Sequence, residues 1–276
     1  MSYASVLVPI DEHPESAASL DTALRLAALF GAHLEGLAIV PPLVAPLRLR
    51  PRQSASALMK KEWERDKVEA RVAAKRFVAW ARKAGVASVD GVVVEGDACA
   101  AMGERARLAD LVVLPRPGED DLGALGGHRI ESTLLAVGRP VLLVPADVPS
   151  ASFPAKALVA WNGSRESARA LTDALPLLAR AKSVTVLTCG PAAGGEAAHG
   201  ARAVAYLARH GVKADAAHVT TDDRRVGDAI LARARKLGAD LVVMGAYGRP
   251  RLAEFVLGGA TRAVLAKAGM NVLMSH

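Results

Sequence analysis

Apolar residues along this chain follow two rhythms. Short runs such as Val6-Leu7-Val8, Leu111-Val112-Val113-Leu114 and Leu241-Val242-Val243 have the branched character of strands buried on both faces. Between such runs, apolar positions recur at helical spacing. Leu20, Leu24 and Ala27, and later Leu171, Leu175 and Leu178, form i, i+4, i+7 stripes. The pattern predicts strands near residues 4–10, 34–40, 89–95, 111–115 and 140–145, then 156–161, 183–189, 215–220, 241–245 and 271–275. Helices are expected over 15–30, 57–84, 97–108 and 128–137, then 165–180, 196–210, 226–237 and 259–268. Strict alternation of this kind predicts a parallel sheet with helices on both faces.

The two halves are one pattern written twice. Val6 to Ser16 matches Ala157 to Ser167, each an apolar run, a polar turn and Glu-Ser opening a helix. Ala109-Asp110-Leu111-Val112-Val113 matches Ala239-Asp240-Leu241-Val242-Val243, and Pro140 to Leu143 matches Asn271 to Met274. Matched segments in one order imply two domains, 1–147 and 154–276. The linker is Val148 to Pro154, rich in proline and serine. Pro41, Pro42 and Pro46, followed by the basic stretch Arg48 to Arg52, predict a long loop in the first half.

Composition narrows the class. With 276 residues, 51% of them hydrophobic, the chain buries a core without disulfides. Its two cysteines, Cys99 and Cys189, form no metal-ligand pattern and read as buried small hydrophobes. No leader pattern opens the sequence and no apolar run approaches membrane-spanning length, so a cytoplasmic protein is expected. The net charge of +7 is uneven. Residues 1–147 carry 18 basic against 19 acidic side chains, and residues 148–276 carry 17 against 9. The second half therefore favours anions. Basic clusters interleaved with aromatics are missing, which argues against nucleic acid.

Candidate chemistry concentrates in Met244-Gly245-Ala246-Tyr247-Gly248-Arg249 and Leu257-Gly258-Gly259-Ala260-Thr261-Arg262. The first segment leaves the carboxyl end of a strand, where open α/β sheets bind ligands. The second opens a helix, whose free N–H groups and dipole favour phosphate. Arg249 and Arg251 either reach phosphate oxygens or stand as solvated loop arginines. No GxxxxGK[ST] loop, GxGxxG fingerprint or GxSxG elbow is present. Glu15 and Glu166 suit helix starts, Arg224 and Arg225 a solvated surface, and His276 a surface terminus.

Gly-x2-Gly-x9-Gly followed by Ser or Thr resembles the nucleotide-binding signature of the universal stress protein family. Gly245, Gly248 and Gly258 fit it, whereas Gly259 stands where the hydroxyl residue belongs. The lost hydroxyl removes one phosphate donor, and Thr261, two residues on, either replaces it or does not. The resemblance implies two flavodoxin-like (adenine nucleotide alpha hydrolase-like) α/β domains, each a five-stranded parallel sheet in the order 3-2-1-4-5. It implies an intrachain pseudo-dimer through the last strands and leaves a further homodimer open. It also implies ATP, with Mg²⁺, held in the second domain by Asn162, Gly245, Gly248, Arg249, Gly258, Gly259 and Ala260.

Within that resemblance Asn162 replaces the aspartate that Asp11 supplies in the first half. The backbone contact to adenine falls at Val40 in the first half and at Thr188 or Cys189 in the second. Pro115, in the place of Gly245, and Glu119-Asp120-Asp121 argue against ATP in the first half. The expected role is a stress-response regulator or adaptor with an unidentified protein partner. A nucleotide-free stress protein and a slow nucleotide hydrolase are the alternatives.

Overall fold

The computed structural model describes residues 2–10, 16–43, 57–116, 126–147, 153–191, 196–247 and 259–276. In the first half the elements are β1 (Ser5–Pro9), α1 (Ser16–Phe30), β2 (His33–Val40), α2 (Ala57–Lys83), β3 (Val89–Glu95), α3 (Ala98–Ala106), β4 (Leu111–Pro115), α4 (Gly126–Val137) and β5 (Val141–Val144). The second half repeats them as β6 (Lys156–Ala160), α5 (Arg165–Asp173), α6 (Leu175–Leu178), β7 (Ser183–Gly190), α7 (Glu196–Arg209), β8 (Asp215–Thr220), α8 (Val226–Leu237), β9 (Leu241–Gly245), α9 (Gly259–Lys267) and β10 (Asn271–Ser275). A short 3₁₀ turn at Asp223–Arg225 precedes α8. The expected linker falls mostly outside the described residues, as does the basic part of the long loop.

All ten strands join one sheet in the order β3-β2-β1-β4-β5-β10-β9-β6-β7-β8. Each half reads 3-2-1-4-5, as the resemblance implied. Pairing is parallel within each half and antiparallel at the centre, where Leu142 faces Leu273 and Val141 faces Met274. The pseudo-dimer expected through the last strands is therefore a continuous sheet. Helices α1, α2, α5, α6 and α7 pack on one face, and α3, α4, α8 and α9 on the other. Leu111, Val112, Leu142, Leu143, Val242 and Leu273 have no exposed surface, because helices cover both faces of the central strands.

The helix expected over 165–180 is instead two. Pro176 lacks the N–H that a continuous helix would need to bond back one turn, so α5 stops at Asp173 and α6 restarts at Leu175. The buried stripe survives the break, with Leu171, Leu175 and Leu178 each nearly inaccessible.

Side chains lock the halves together across the central strands. The Tyr3 hydroxyl donates to the Asp173 carbonyl at 2.7 Å. Arg169 of α5 donates to the carbonyl of Gly138, just past α4, at 2.6 Å. Reciprocally, Arg116, just past β4, donates to the carbonyls of Leu265 and Ala266 in the last turn of α9, each at 3.2 Å. A guanidinium at a helix C-terminus satisfies orphan carbonyls and opposes the negative end of the dipole.

Asp173 accepts from the Ser275 hydroxyl at 2.8 Å in the same seam. Burial pushes its carboxyl above the ordinary value, more than Ser275, Arg169 and Arg139 pull it down. A raised carboxyl contributes stability that is full below the ordinary aspartate range and lost as pH rises through the folded value. Melting temperatures of the chain and of Asp173→Asn, taken from about pH 4 upward, should diverge. The native chain loses stability relative to the variant as pH rises, and a pH-independent difference would refute the assignment.

Candidate functional site

Strands β6, β7 and β9 end on one rim of the sheet, and α8 and α9 begin beside them. Their convergence leaves a cleft of about 140 Å³. Its floor is apolar, made by Leu187, Val226, Ile230 and Met244. Its rim carries Asn162, Gly245, Gly259 and Ala260, four of the sequence-expected site residues, brought together from three separate segments. Gly248, Arg249 and Gly258 lie outside the described residues. Gly259 and Ala260 are the first residues of α9, so the positive dipole end of that helix faces the cleft.

The glycine turn is held by contacts that the sequence pattern does not announce. Tyr247 takes the left-handed conformation at φ 59°, rare for a non-glycine residue. Its N–H lies 3.5 Å from the Thr261 hydroxyl oxygen. The His276 ring meets Tyr247 edge-on, and its Nδ1 lies 3.1 Å from the Ala246 carbonyl. His276 is thus half-buried in the turn, where a surface position was expected. Thr261 is buried and braces Tyr247, so its oxygen is already engaged within the turn.

Gly245 serves packing first. A Cβ there would stand 2.6 Å from both the Glu166 carbonyl carbon and the Ser167 nitrogen. Its φ is not positive, so the turn conformation is not what calls for glycine. The requirement is the close approach of α5 to β9. The expected helix-start role of Glu166 holds: Ser164 caps α5 by accepting from the Ser167 N–H at 3.1 Å, and Glu166 follows in the first turn. Burial pushes the Glu166 carboxyl up, but hydrogen bonds from Arg165, its own backbone and Ser164 hold it below the usual value.

Asn162 lines the rim, and its side-chain oxygen accepts the Ser164 N–H at 3.1 Å, an Asx turn leading into α5. Matched hydrogen bonds fix the equivalence of the halves. Ile10 and Trp161 donate to Leu37 and Leu187, and Gly96 and Thr221 donate to Val40 and Gly190. Gly190, rather than Thr188 or Cys189, is therefore the counterpart of Val40. Thr188 points elsewhere and bonds His218 at 3.0 Å. Pro115 does occupy the place of Gly245, since Arg116 and Ala246 bond to Val144 and Ser275 alike.

Three further residues reach the cleft. Cys189 is only half-buried, because β7 emerges from beneath its helices at this rim, and Cys99 is half-buried as well. Both differ from the fully interior positions expected. Burial pushes the Cys189 thiol up to about 11, which keeps it neutral and unreactive at pH 7. Trp161 lines the rim, and its indole N–H is buried without a partner among the described residues. Asp223, from the 3₁₀ turn, adds an acidic residue to the lining. The adjoining Arg224 and Arg225 are exposed, as expected. A tyrosine between Gly245 and Gly248 was the one available signal for this shell. Asp223 and Trp161 had none.

Comparison with known proteins fits this architecture. A sequence model of the universal stress protein family matches residues 2–145 and again residues 155–276. The chain belongs to the universal stress protein family, with two copies of its domain in tandem. Among solved structures it is similar to a universal stress protein from Archaeoglobus fulgidus DSM 4304, with a TM-score of 0.77 and 16% identity over 98% of this chain and 95% of that one. A functionally unknown protein from Pseudomonas aeruginosa PAO1 superimposes with a TM-score of 0.64 and 17% identity, over 99% and 92% of the two chains. At these identities the likeness concerns the fold. A search of curated proteins finds no match.

Proposed function

We propose that the second half holds one adenine nucleotide, ATP in the first instance, and that the protein acts as a nucleotide-responsive stress regulator or adaptor in the cytoplasm. The observation that carries the reading is the cleft itself, where an apolar floor meets the N-terminus of α9. The floor suits a flat base, and the helix start suits phosphate. The unpartnered Trp161 N–H is a donor that a bound ligand or an ordered water would satisfy. The cleft is smaller than the roughly 300 Å³ common for small-molecule sites. It accommodates the base, with the phosphates lying over Gly259 and Ala260.

Among the described residues no group of three metal-ligating side chains is present, and no helix is long and apolar enough to cross a membrane. Mg²⁺ would accordingly arrive on the phosphates, with Asp223 the carboxylate lining the cleft. Two domains, 1–147 and 154–276, would then divide the work unequally.

Calorimetric titration of Mg²⁺-ATP into the full chain, with mass spectrometry of any nucleotide it retains on purification, tests the reading. One site per chain is expected. No binding at millimolar ATP would sink it and favour a stress protein working through protein contacts alone. Steady phosphate release would favour the hydrolase.

A further inference from the structure

The ten-stranded sheet ends at β3, which pairs only with β2 among the described strands. Leu34 donates to the Ser88 carbonyl, and Gly96 donates to Val40. The parallel ladder between these bonds assigns the even-numbered residues of β3 to β2. The N–H and C=O groups of Val89, Gly91, Val93 and Glu95 therefore point outward, away from the sheet.

Native edges are usually blunted by a charge, a proline or a bulge within the strand. β3 has a charge toward each end, Asp90 and Glu95, the latter paired with Lys67 of α2 at 2.8 Å, and leaves its centre, Val92-Val93-Val94, uncharged. The opposite edge, β8, is largely exposed and mixed in polarity. Beside β3, α2 lies so close that a Cβ on Gly91 would stand 2.6 Å from the Ala74 carbonyl oxygen. A shallow groove runs between them, lined by Ala74, Val78, Gly91 and Val93, with Arg71 and Lys75 at its lip. Above it Val68 and Val72 remain exposed on α2, at 54% and 41%.

Charge selects the occupant. Residues 70–88 carry Arg71, Lys75, Arg76, Arg82 and Lys83 and no acidic side chain. Two copies of this chain pairing edge to edge would bring these like-charged helices together. We propose that β3 and α2 form a strand-addition site for an extended segment of a partner protein in which acidic and branched apolar residues alternate. The open ladder groups supply main-chain bonds, the groove takes the apolar side chains, and the cations at its lip take the acidic ones. The site is independent of the nucleotide cleft, which lies at the ends of β6, β7 and β9 in the other half.

Adding a synthetic peptide of alternating glutamate and valine to the full chain should slow amide exchange at Gly91 and Val93. The same peptide with lysine for glutamate should not. Val93→Pro removes one outward N–H without touching the β2 ladder, as edge positions tolerate, and should abolish the effect. Arg71→Glu with Lys75→Glu, both at exposed positions that do not govern folding, should weaken the peptide by about tenfold or more. Binding that leaves both amides unchanged, or that survives Val93→Pro, overturns the proposal. So does an edge already protected without peptide and released on dilution, which would assign it to a second copy.

Discussion

Gly259→Asp should abolish ATP binding without harming the fold, and Gly259→Ser should tighten it. Among the described residues nothing lies within 4 Å of a Cβ placed on Gly259, so both side chains enter open space at the start of α9. An aspartate there also suits the positive helix end, and the melting temperature should hold or rise slightly. Against a phosphate the same carboxylate is repulsive. Two unit charges about 4 Å apart interact by roughly 4 kcal/mol at the effective permittivity of a protein surface. Titration calorimetry should therefore show a loss of about a hundredfold or more. Serine restores the donor that Gly259 lacks, and a hydrogen bond to a charged acceptor adds about 1.5 kcal/mol, or roughly tenfold. Gly259→Ala controls for helix propensity and should leave affinity unchanged. If serine and alanine bind alike, phosphate does not sit at this helix.

Gly245→Ala should destabilise the whole chain, by about 3 kcal/mol or more. The added methyl meets the backbone of Glu166 and Ser167 at 2.6 Å, and backbone cannot swing aside as a side chain can. Either β9 or the first turn of α5 must move. β9 carries the cleft residues Met244 and Gly245, and α5 carries the seam made by Arg169 and Asp173. Urea unfolding should show a lower midpoint with an unchanged slope. A midpoint within error of the native value would mean that α5 is less firmly placed than its packing implies. Gly245 is consequently a poor position for testing nucleotide binding alone, although the sequence motif points to it first.

Strand and helix positions were legible because buried parallel strands and amphipathic helices leave different periods in the sequence. The ends of β1, β4, β9 and β10 fall within a residue or two of the apolar runs that predicted them. The break between α5 and α6 had a visible cause in Pro176, overridden in reading by the unbroken stripe from Leu171 to Leu178. Of the residues expected to hold a nucleotide, Gly245, Gly259 and Ala260, expected from glycine spacing and a helix start, and Asn162, expected from the resemblance, line the cleft. Asp223 and Trp161 were not expected, because an exposed turn and a strand-end aromatic have no periodic signature. Register was the finer loss. Whether Thr188, Cys189 or Gly190 answers Val40 depends on which carbonyl accepts from Thr221, which no local pattern encodes. Contacts such as Arg116 with α9 span 149 residues of chain and follow only from the closed sheet.

That last contact bears on why both copies persist in one polypeptide. Arg116 stands where the second copy has Ala246, next to Pro115 in the place of Gly245. Its guanidinium instead grips the far end of α9, the helix whose near end opens on the cleft. The copy with Pro115 at its strand end thus splints the helix that opens on the other copy's cleft. Cut free, the second half would lose both its neighbouring strand and the clamp on the helix that opens on its cleft. Neither copy should therefore evolve, or be excised, as though it were a free-standing module.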